Sequence, residues 1–564
     1  MIRPRRYRTV YLILFVIGLV GINVLSGLFH ARIDLTDEDR FTLSPGTIRV
    51  LKNIQEPIHV TVYLKGKYPS GFRKLSETTA DLLEEFQNDA KKRLVVEFVE
   101  PETPVNDTLT IGDSLSSAGF IPINLTAQVK QGQQQLLVYP YAKIQFRDRL
   151  EMVVLYKGKT PLHNNRVLNE AESMLEYQFA SAIARIQQQE KPLIGYAVGH
   201  GEPMDLRVYD LAEEALQPNY QLQLINLSEQ PFIPAEFKAL LIVKPTAPFS
   251  ELEKLKIDQY IMQGGKPLFF LDRLEAEMDS LQIINRVLAY DRNLQLHDQL
   301  FRYGVRVNPN LLMDLQSDFL PFDVNGNGQY EFLPWNYFPL MESSNNHPIN
   351  RNLGYVAGRF VNTLDTVSAP GIQKTILLTS SPNARSLNAP ALISGSENVI
   401  APEDAKYNKK SLPTAVLLEG KFRSFFSNRL SEDLSDSLNA NGMLFSTQCK
   451  NKTSMLVVGD GDMVLNSVAR GNQPLPMGMN PYTFGTQREF PFANREFLLN
   501  ALEYMVSDQG LSEAKNKEYK LRLIDTKKAK AEKTYWQIFN LILPIGLMWL
   551  FGFLFQALRR RKFK

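Results

Sequence analysis

The sequence predicts a membrane-anchored α/β protein: a small thioredoxin-like α/β unit, then a doubly wound domain, with one transmembrane helix at each end. Three observations predict it. Two long uncharged apolar runs stand near the two ends of the chain, β-branched runs alternate with amphipathic stretches between them, and 564 residues supply several cores without staples. With 44% hydrophobic and 22% charged residues, 32 glycines and 32 prolines, collagenous, disordered and coiled-coil classes are excluded. Net charge is +3, from 63 basic and 60 acidic residues, so no global field draws the chain to nucleic acid. Cys449 is the sole cysteine, which excludes an intramolecular disulfide and any cysteine-rich metal centre. No metal or cofactor is expected.

Residues 1–10 are a short tail carrying Arg3, Arg5, Arg6 and Arg8, and residues 11–29 (YLILFVIGLVGINVLSGLF) are 19 residues without a charge. At 1.5 Å per residue the run reaches about 28 Å, near the hydrocarbon thickness of a bilayer. A cleaved signal peptide would have a shorter apolar core and a small-x-small site; LSGLFHARID offers no clean one, so an uncleaved anchor is expected. Residues 536–558 (WQIFNLILPIGLMWLFGFLFQAL) are also uncharged, and the tail 559–564 holds Arg559, Arg560, Arg561, Lys562 and Lys564. Breakers persist in membrane helices where neighbours re-satisfy the freed carbonyls, so Pro544 and Gly546 are candidate partner-packing residues, with a simple bend as the alternative. The four arginines hold the first tail in the cytoplasm. Basic residues balance on the two sides of the second run, so parity decides: both termini are cytoplasmic and residues 31–535 lie across the membrane.

Residues 31–165 form the first unit. Period-two alternation over 58–64 (IHVTVYL) predicts a strand, helical spacing covers 72–92, and 94–99 (LVVEFV) is a second strand. A short helix near 109–119 and strands near 135–146 and 151–155 follow. That order is thioredoxin-like in outline, and without a cysteine it carries no CxxC. Residues 166–190 are a connecting helix, with Leu168, Ala171, Leu175, Phe179, Ala182 and Ile186 at steps of 3 and 4.

The doubly wound domain spans 191–510. Strands at 193–198, 221–227, 239–243 and 267–271 alternate with helices at 208–216 and 251–262, the latter opened by a Ser250/Glu253 capping box and closed by Gly264-Gly265. A Pro- and Asn-rich insertion or second lobe occupies about 307–450, with strands near 374–379 and 414–422. Alternation resumes with a strand at 454–458 and a helix at 494–506 that turns Phe497, Leu498, Ala501, Leu502 and Met505 inward. Residues 511–535 read as a charged, helix-prone stalk.

Most chemical motifs fail on inspection. Gly158-Lys159-Thr160 lacks the earlier glycine of a phosphate loop, which is Val153 here. In Gly199-His200-Gly201-Glu202-Pro203-Met204 the third glycine of a dinucleotide fingerprint is Met204, and Pro203 removes an amide. Asp323, Asn325, Asn327 and Gly328 begin like a calcium loop, but Pro334 stands where a bidentate Glu is required, which leaves an Asn/Gly turn. GxSxG and HExxH are absent from the sequence, and no catalytic residue is assigned. One constellation stands out. His200, Glu202, Asp272, Asp460 and Asp462 directly follow predicted strands, where doubly wound sheets bind ligands, so these five are the candidate ligand-binding residues. Turn and cap residues of any α/β fold have the same composition and are the alternative.

The runs RIDLTDEDRFTLSPGT, YAVGHGEP, LLIVKPTAPFSELEKLKIDQYIMQGGKPLFFLD, FLPWNYFPL, LLTSSPNAR, AVLLEGKF and MLVVGDGDMVLN together resemble the GldG family of gliding-motility-associated ABC transporter auxiliary proteins. The resemblance covers nearly the whole chain and rests on many ordered segments rather than one motif. It implies a non-enzymatic auxiliary or substrate-binding subunit of the inner membrane, with residues 31–535 periplasmic. Its implied partners are a multispan ABC permease and a cytoplasmic ATPase, with an envelope protein or an unknown ligand bound outside. It also implies a class I glutamine amidotransferase-like fold for the large domain. Enzymes of that fold carry a nucleophilic Cys after a strand, whereas Cys449 precedes the predicted strand 454–458, so amidotransferase catalysis is not expected. Two alternatives remain: an exported hydrolase or metal-dependent enzyme using the His/Asp/Glu cluster, and a structural envelope scaffold.

Overall fold

The computed structural model describes residues 15–18, 42–106, 109–129, 132–156, 165–188, 190–284, 286–351, 353–395, 404–440, 442, 444–507, 510–515 and 526–562. The expected first span lies outside these apart from the helical residues 15–18, and so does 516–525 of the expected stalk. The chain forms two units, Met1–Lys517 and Glu518–Lys564.

The first sheet has the order Leu94–Phe98, Ile58–Val62, Tyr141–Phe146, Arg149–Val154. Its first two strands are parallel, which requires a crossover, and the helix Ser70–Asp89 supplies it. The other two pairings are antiparallel. Val60, Val62 and Ile144 of the sheet share one core with Leu83 and Phe86 of the crossover helix and with Leu175, Phe179 and Ile183 of the helix Asn165–Gln187. The strand expected over 135–146 is two strands. Pro140 has no amide hydrogen to continue a ladder, so Gly132–Val138 pairs away with Ile123–Val129 as a separate ribbon and Tyr141–Phe146 enters the sheet.

In the large domain five parallel strands run in the order Gln221–Asn226, Leu193–Val198, Ala239–Val243, Pro267–Phe270, Thr453–Val458. Parallel strands covered on both faces are apolar throughout, and here alternate residues serve two cores. Leu241, Val243, Leu268, Phe270 and Leu456 pack with Phe497, Leu498, Ala501 and Leu502 of the helix Asn494–Val506. Leu240, Ile242, Phe269 and Val457 pack with Leu255, Tyr260 and Ile261 of the helix Glu251–Met262. Strands of the insertion extend the same sheet: Pro413–Gly420 pairs antiparallel with Thr453–Val458, and Ile372–Thr379, Glu331–Ser343 and Ser317–Phe322 follow outward.

Two helices show how side chains set local geometry. The capping box is present, with Ser250 Oγ accepting the Glu253 amide and the Glu253 carboxylate accepting the Ser250 amide at 2.8 Å. The helix ends before Gly264, whose φ of +99° favours glycine. Its Asp258 is fully buried and accepts from Tyr303 Oη at 2.6 Å, Ser424 Oγ at 2.7 Å and the Phe425 amide at 2.7 Å, tying the insertion to the helix. The helix expected at 208–216 is instead a 3-10 turn, Leu206–Val208, followed by a π-helical segment, Asp210–Leu216. The wider winding seats Asp210, whose amide donates to Asn466 at 2.9 Å and whose carboxylate accepts from Arg495 Nε at 3.0 Å.

The second unit contains the helix Thr526–Lys562, with Pro544 inside it. Its segment Glu532–Arg561 is long and apolar enough to cross a membrane.

Candidate functional site

The parallel strands Leu193–Val198, Ala239–Val243, Pro267–Phe270 and Thr453–Val458 end on one side of the sheet, and the residues after them carry the five predicted side chains. The structure sorts those five into two groups.

His200 and Glu202 make the first group, with Glu253 from the capping box. Gly199 and Gly201 have φ of +115° and +80°, and a Cβ on Gly201 would lie 2.0 Å from Thr246 Oγ1, so the turn demands glycine there. That turn places the His200 carbonyl on the amides of Thr246 and Ala247, at 2.7 and 2.9 Å. The imidazole stacks on Phe249 with ring centroids 3.7 Å apart. Its Nε2 is 3.2 Å from Glu253 Oε2 and its Nδ1 is 3.5 Å from Glu202 Oε1, while Glu202 Oε2 accepts the His200 amide at 2.7 Å. Burial alone would push the imidazole pKa down. The hydrogen bonds and charges of Glu202 and Glu253 outweigh it, so the pKa is raised.

Asp272, Asp460 and Asp462 make the second group, of which Asp272 and Asp462 close on a residue that the sequence reading did not select. Lys244 follows the strand Ala239–Val243 with φ +47°, and its side chain is 4% exposed. Lys244 Nζ stands 2.7 Å from Asp462 Oδ2, 3.1 Å from Glu277 Oε2 and 3.3 Å from Asp272 Oδ2. Backbone amides take up further lone pairs: Gly461 N donates to Asp272 Oδ1 at 2.5 Å, and Asp462 N and Arg359 N donate to the two oxygens of Asp460 at 2.8 and 2.9 Å. The two glycines of Gly459-Asp460-Gly461-Asp462 permit the close approach. A Cβ on Gly459 would lie 2.1 Å from the Asn362 carbonyl oxygen, and one on Gly461 2.8 Å from Lys244 Cβ.

The electrostatics follow from this packing. Burial pushes Asp272 up to about 6 against the pull of Lys244, and burial with the charges of Asp272 and Asp462 raises Asp460 well above the carboxylate range. Burial also opposes ionisation of Asp462, yet Lys244 and the more distant Arg359 and Arg207 bring its pKa down. Lys244 is raised, because the carboxylates more than offset its desolvation. The group is a lysine-centred ion cage that meets solvent at Glu277, whose side chain is 35% exposed. Arg292, whose side chain is 8% exposed, also pairs with Glu277. An ammonium therefore occupies the position a cation would take among these carboxylates. Among the described residues no cluster of three or more His, Cys, Asp or Glu is arranged to hold a metal ion.

Other predicted positions are equally specific. Cys449 is buried, its Sγ donates to the Ile261 carbonyl at 3.1 Å, and burial pushes the thiol up to about 11. Asp323 accepts the amides of Asn327 and Gly328 at 3.1 and 3.0 Å, which makes the calcium-like stretch a side-chain-closed turn. Pro544 and Gly546 lie in the helix Thr526–Lys562, and a Cβ on Gly546 would meet nothing within 4 Å.

A family model described as an ABC-type uncharacterized transport system matches residues 191–501, and a second, a domain of unknown function, matches residues 37–145. No curated protein matches the chain. Among solved structures, the mmIFT52 N-terminal domain is similar over 56% of this chain and 97% of its own, at 13% identity and a TM-score of 0.30. The exo-β-1,4-mannosidase Op5Man5 from Opitutaceae bacterium strain TAV5 is similar over 75% of this chain and 51% of its own, at 10% identity and a TM-score of 0.19. At those scores neither likeness bears on fold or function.

Proposed function

The chain belongs to the family described as an ABC-type uncharacterized transport system, and from that membership we propose that it is a non-enzymatic auxiliary subunit whose outer body captures a ligand or envelope partner for a multispan permease driven by a cytoplasmic ATPase. The family match over the large domain is the observation that carries the reading. The apolar segment Glu532–Arg561 supports a membrane anchor beside a permease, with Pro544 and Gly546 at the packing face. An inner-membrane location with two spans, cytoplasmic termini and a periplasmic body belongs to the same proposal, on the strength of the two apolar runs and their flanking charges.

The sheet order of the first module, with its third strand antiparallel to the rest, supports the thioredoxin-like reading. The parallel strands between helices support an amidotransferase-like reading of the large domain. A non-enzymatic role draws support from Cys449, buried with a raised pKa, and from Lys244, which neutralises the strand-end carboxylates. Ligand recognition at the strand ends would use their solvent-facing side, where Glu277 and Asp462 are the accessible members and His200, Glu202, Asp272 and Asp460 hold the surrounding turns in place. ATP-driven movement of the permease would shift the outer body between states of different partner affinity. The gliding association rests on the sequence resemblance alone.

Site-specific photocrosslinking tests the packing face. A crosslinker at 544 or 546 in native membranes is expected to capture a polytopic permease, and one on the opposite helix face to capture lipid. Absence of a permease adduct from every position along 536–558 would overturn the proposal.

A further inference from the structure

A second feature lies apart from the strand-end groups and does not depend on the transporter reading. Between the helix His297–Tyr303, the strand Val305–Val307 and the loop after Pro413–Gly420 is an open cleft of about 1280 Å³. Its wall holds six cationic side chains, Arg273, Arg302, Arg306, Lys409, Arg423 and Arg429, against two carboxylates, Asp298 and Asp365. Both carboxylates are already engaged, Asp365 by Arg306 at 2.8 Å and Asp298 by Lys254 at 2.9 Å, and Arg273 is paired with Asp291 at 2.8 Å. Among the described residues Arg302, Lys409, Arg423 and Arg429 have no carboxylate within 4.0 Å. Among the described residues Lys409 Nζ meets only the Ser386 hydroxyl, at 2.6 Å, and Arg429 lies over the Phe425 ring at 4.6 Å.

Four uncompensated cations facing one concavity raise its potential and concentrate anions there. Three of the four are arginines, whose planar forks match the paired oxygens of phosphate or carboxylate. Asn308, Asn388, Asn428 and Ser427 add neutral amide and hydroxyl groups on the same wall. We propose that this cleft binds a soluble multivalent oxyanion, a solute bearing two or more phosphate or carboxylate groups, clamped by Arg302, Arg423 and Arg429 with Lys409.

Calorimetric titration of the full-length protein in detergent with tripolyphosphate and with citrate tests this. Binding of either is expected, and the responding probe identifies the chemistry: tripolyphosphate for phosphate, citrate for carboxylate. Each charge-assisted contact removed should weaken binding roughly tenfold, so Arg302→Gln with Arg423→Gln should lose roughly a hundredfold. The control pair Lys91→Gln with Lys92→Gln, two exposed lysines of the first module, should bind as the parent does. Silence of both probes with the parent protein, or equal loss in the control pair, would overturn the assignment. Because all four side chains are exposed, an unchanged melting temperature separates lost binding from lost folding.

Discussion

Lys244 and the carboxylates around it make a buried ion pair network, and such networks are most sensitive to loss of one partner. Removing the cation leaves Asp272 and Asp462 without compensation, so Lys244→Met is expected to cost about 3–5 kcal/mol of stability by chemical denaturation. Adding Asp462→Asn to it should recover part of that loss; a double variant no more stable than the single one would show that the cage is not the source. His200 gives a pH-dependent prediction. Its pKa is raised in the folded state by Glu202 and Glu253, so its contribution is complete below the unfolded value of about 6.5 and is lost as pH rises through the folded value. The melting-temperature gap between the parent and His200→Gln should therefore be widest near pH 5.5 and narrow toward pH 8. His347, pushed down to about 4 by burial and Lys515, works in the opposite sense but is common to both proteins and cancels. Strand-end placement made the five acidic and histidine positions legible in sequence. Lys244 was not, because a single lysine after a strand reads as solvated until the fold brings Asp272, Glu277 and Asp462 to it.

At the scale of elements, Ser250 caps a helix that the sheet needs on one of its faces. Ser250→Ala is expected to cost about 1 kcal/mol and to speed hydrogen exchange in the first turn of Glu251–Met262 while the helix Asn494–Val506 keeps its protection. Equal acceleration in both helices would contradict a local cap. Gly459→Ala should be far more damaging, since its Cβ would meet the Asn362 carbonyl at 2.1 Å, and the soluble yield of that variant reports it. Elements of the parallel half were legible because burial on both faces writes continuous apolar runs such as Ala239–Val243, and because Phe497, Leu498, Ala501 and Leu502 keep a helical period. The insertion was harder to read. Its strands pair over long sequence distances, as Asn310–Asp314 does with Ala384–Asn388 and Val305–Val307 with Leu364–Thr366, and half-buried patterns such as that of Ala384–Asn388 resemble loop sequence. The π-helical segment at Asp210 likewise depends on Arg495, hundreds of residues away, which no local signal encodes.

At the scale of the whole molecule, two proposed properties differ in how far a linear reading reaches them. Cations of the oxyanion cleft are scattered from Arg273 to Arg429 in a chain of net charge +3, so only the fold collects them. The proposed membrane attachment is the reverse case, read directly from uncharged runs such as residues 536–558. The protein should stay with membranes after alkaline carbonate washing, and recovery in the supernatant would contradict an integral anchor. The transporter reading itself is tested most directly by affinity purification of the tagged full-length protein from gently solubilised native membranes, with mass spectrometry of what accompanies it. A multispan permease and an ATPase in a fixed ratio is the predicted result. Recovery of neither, from membranes in which a control transporter stays assembled, would contradict the account.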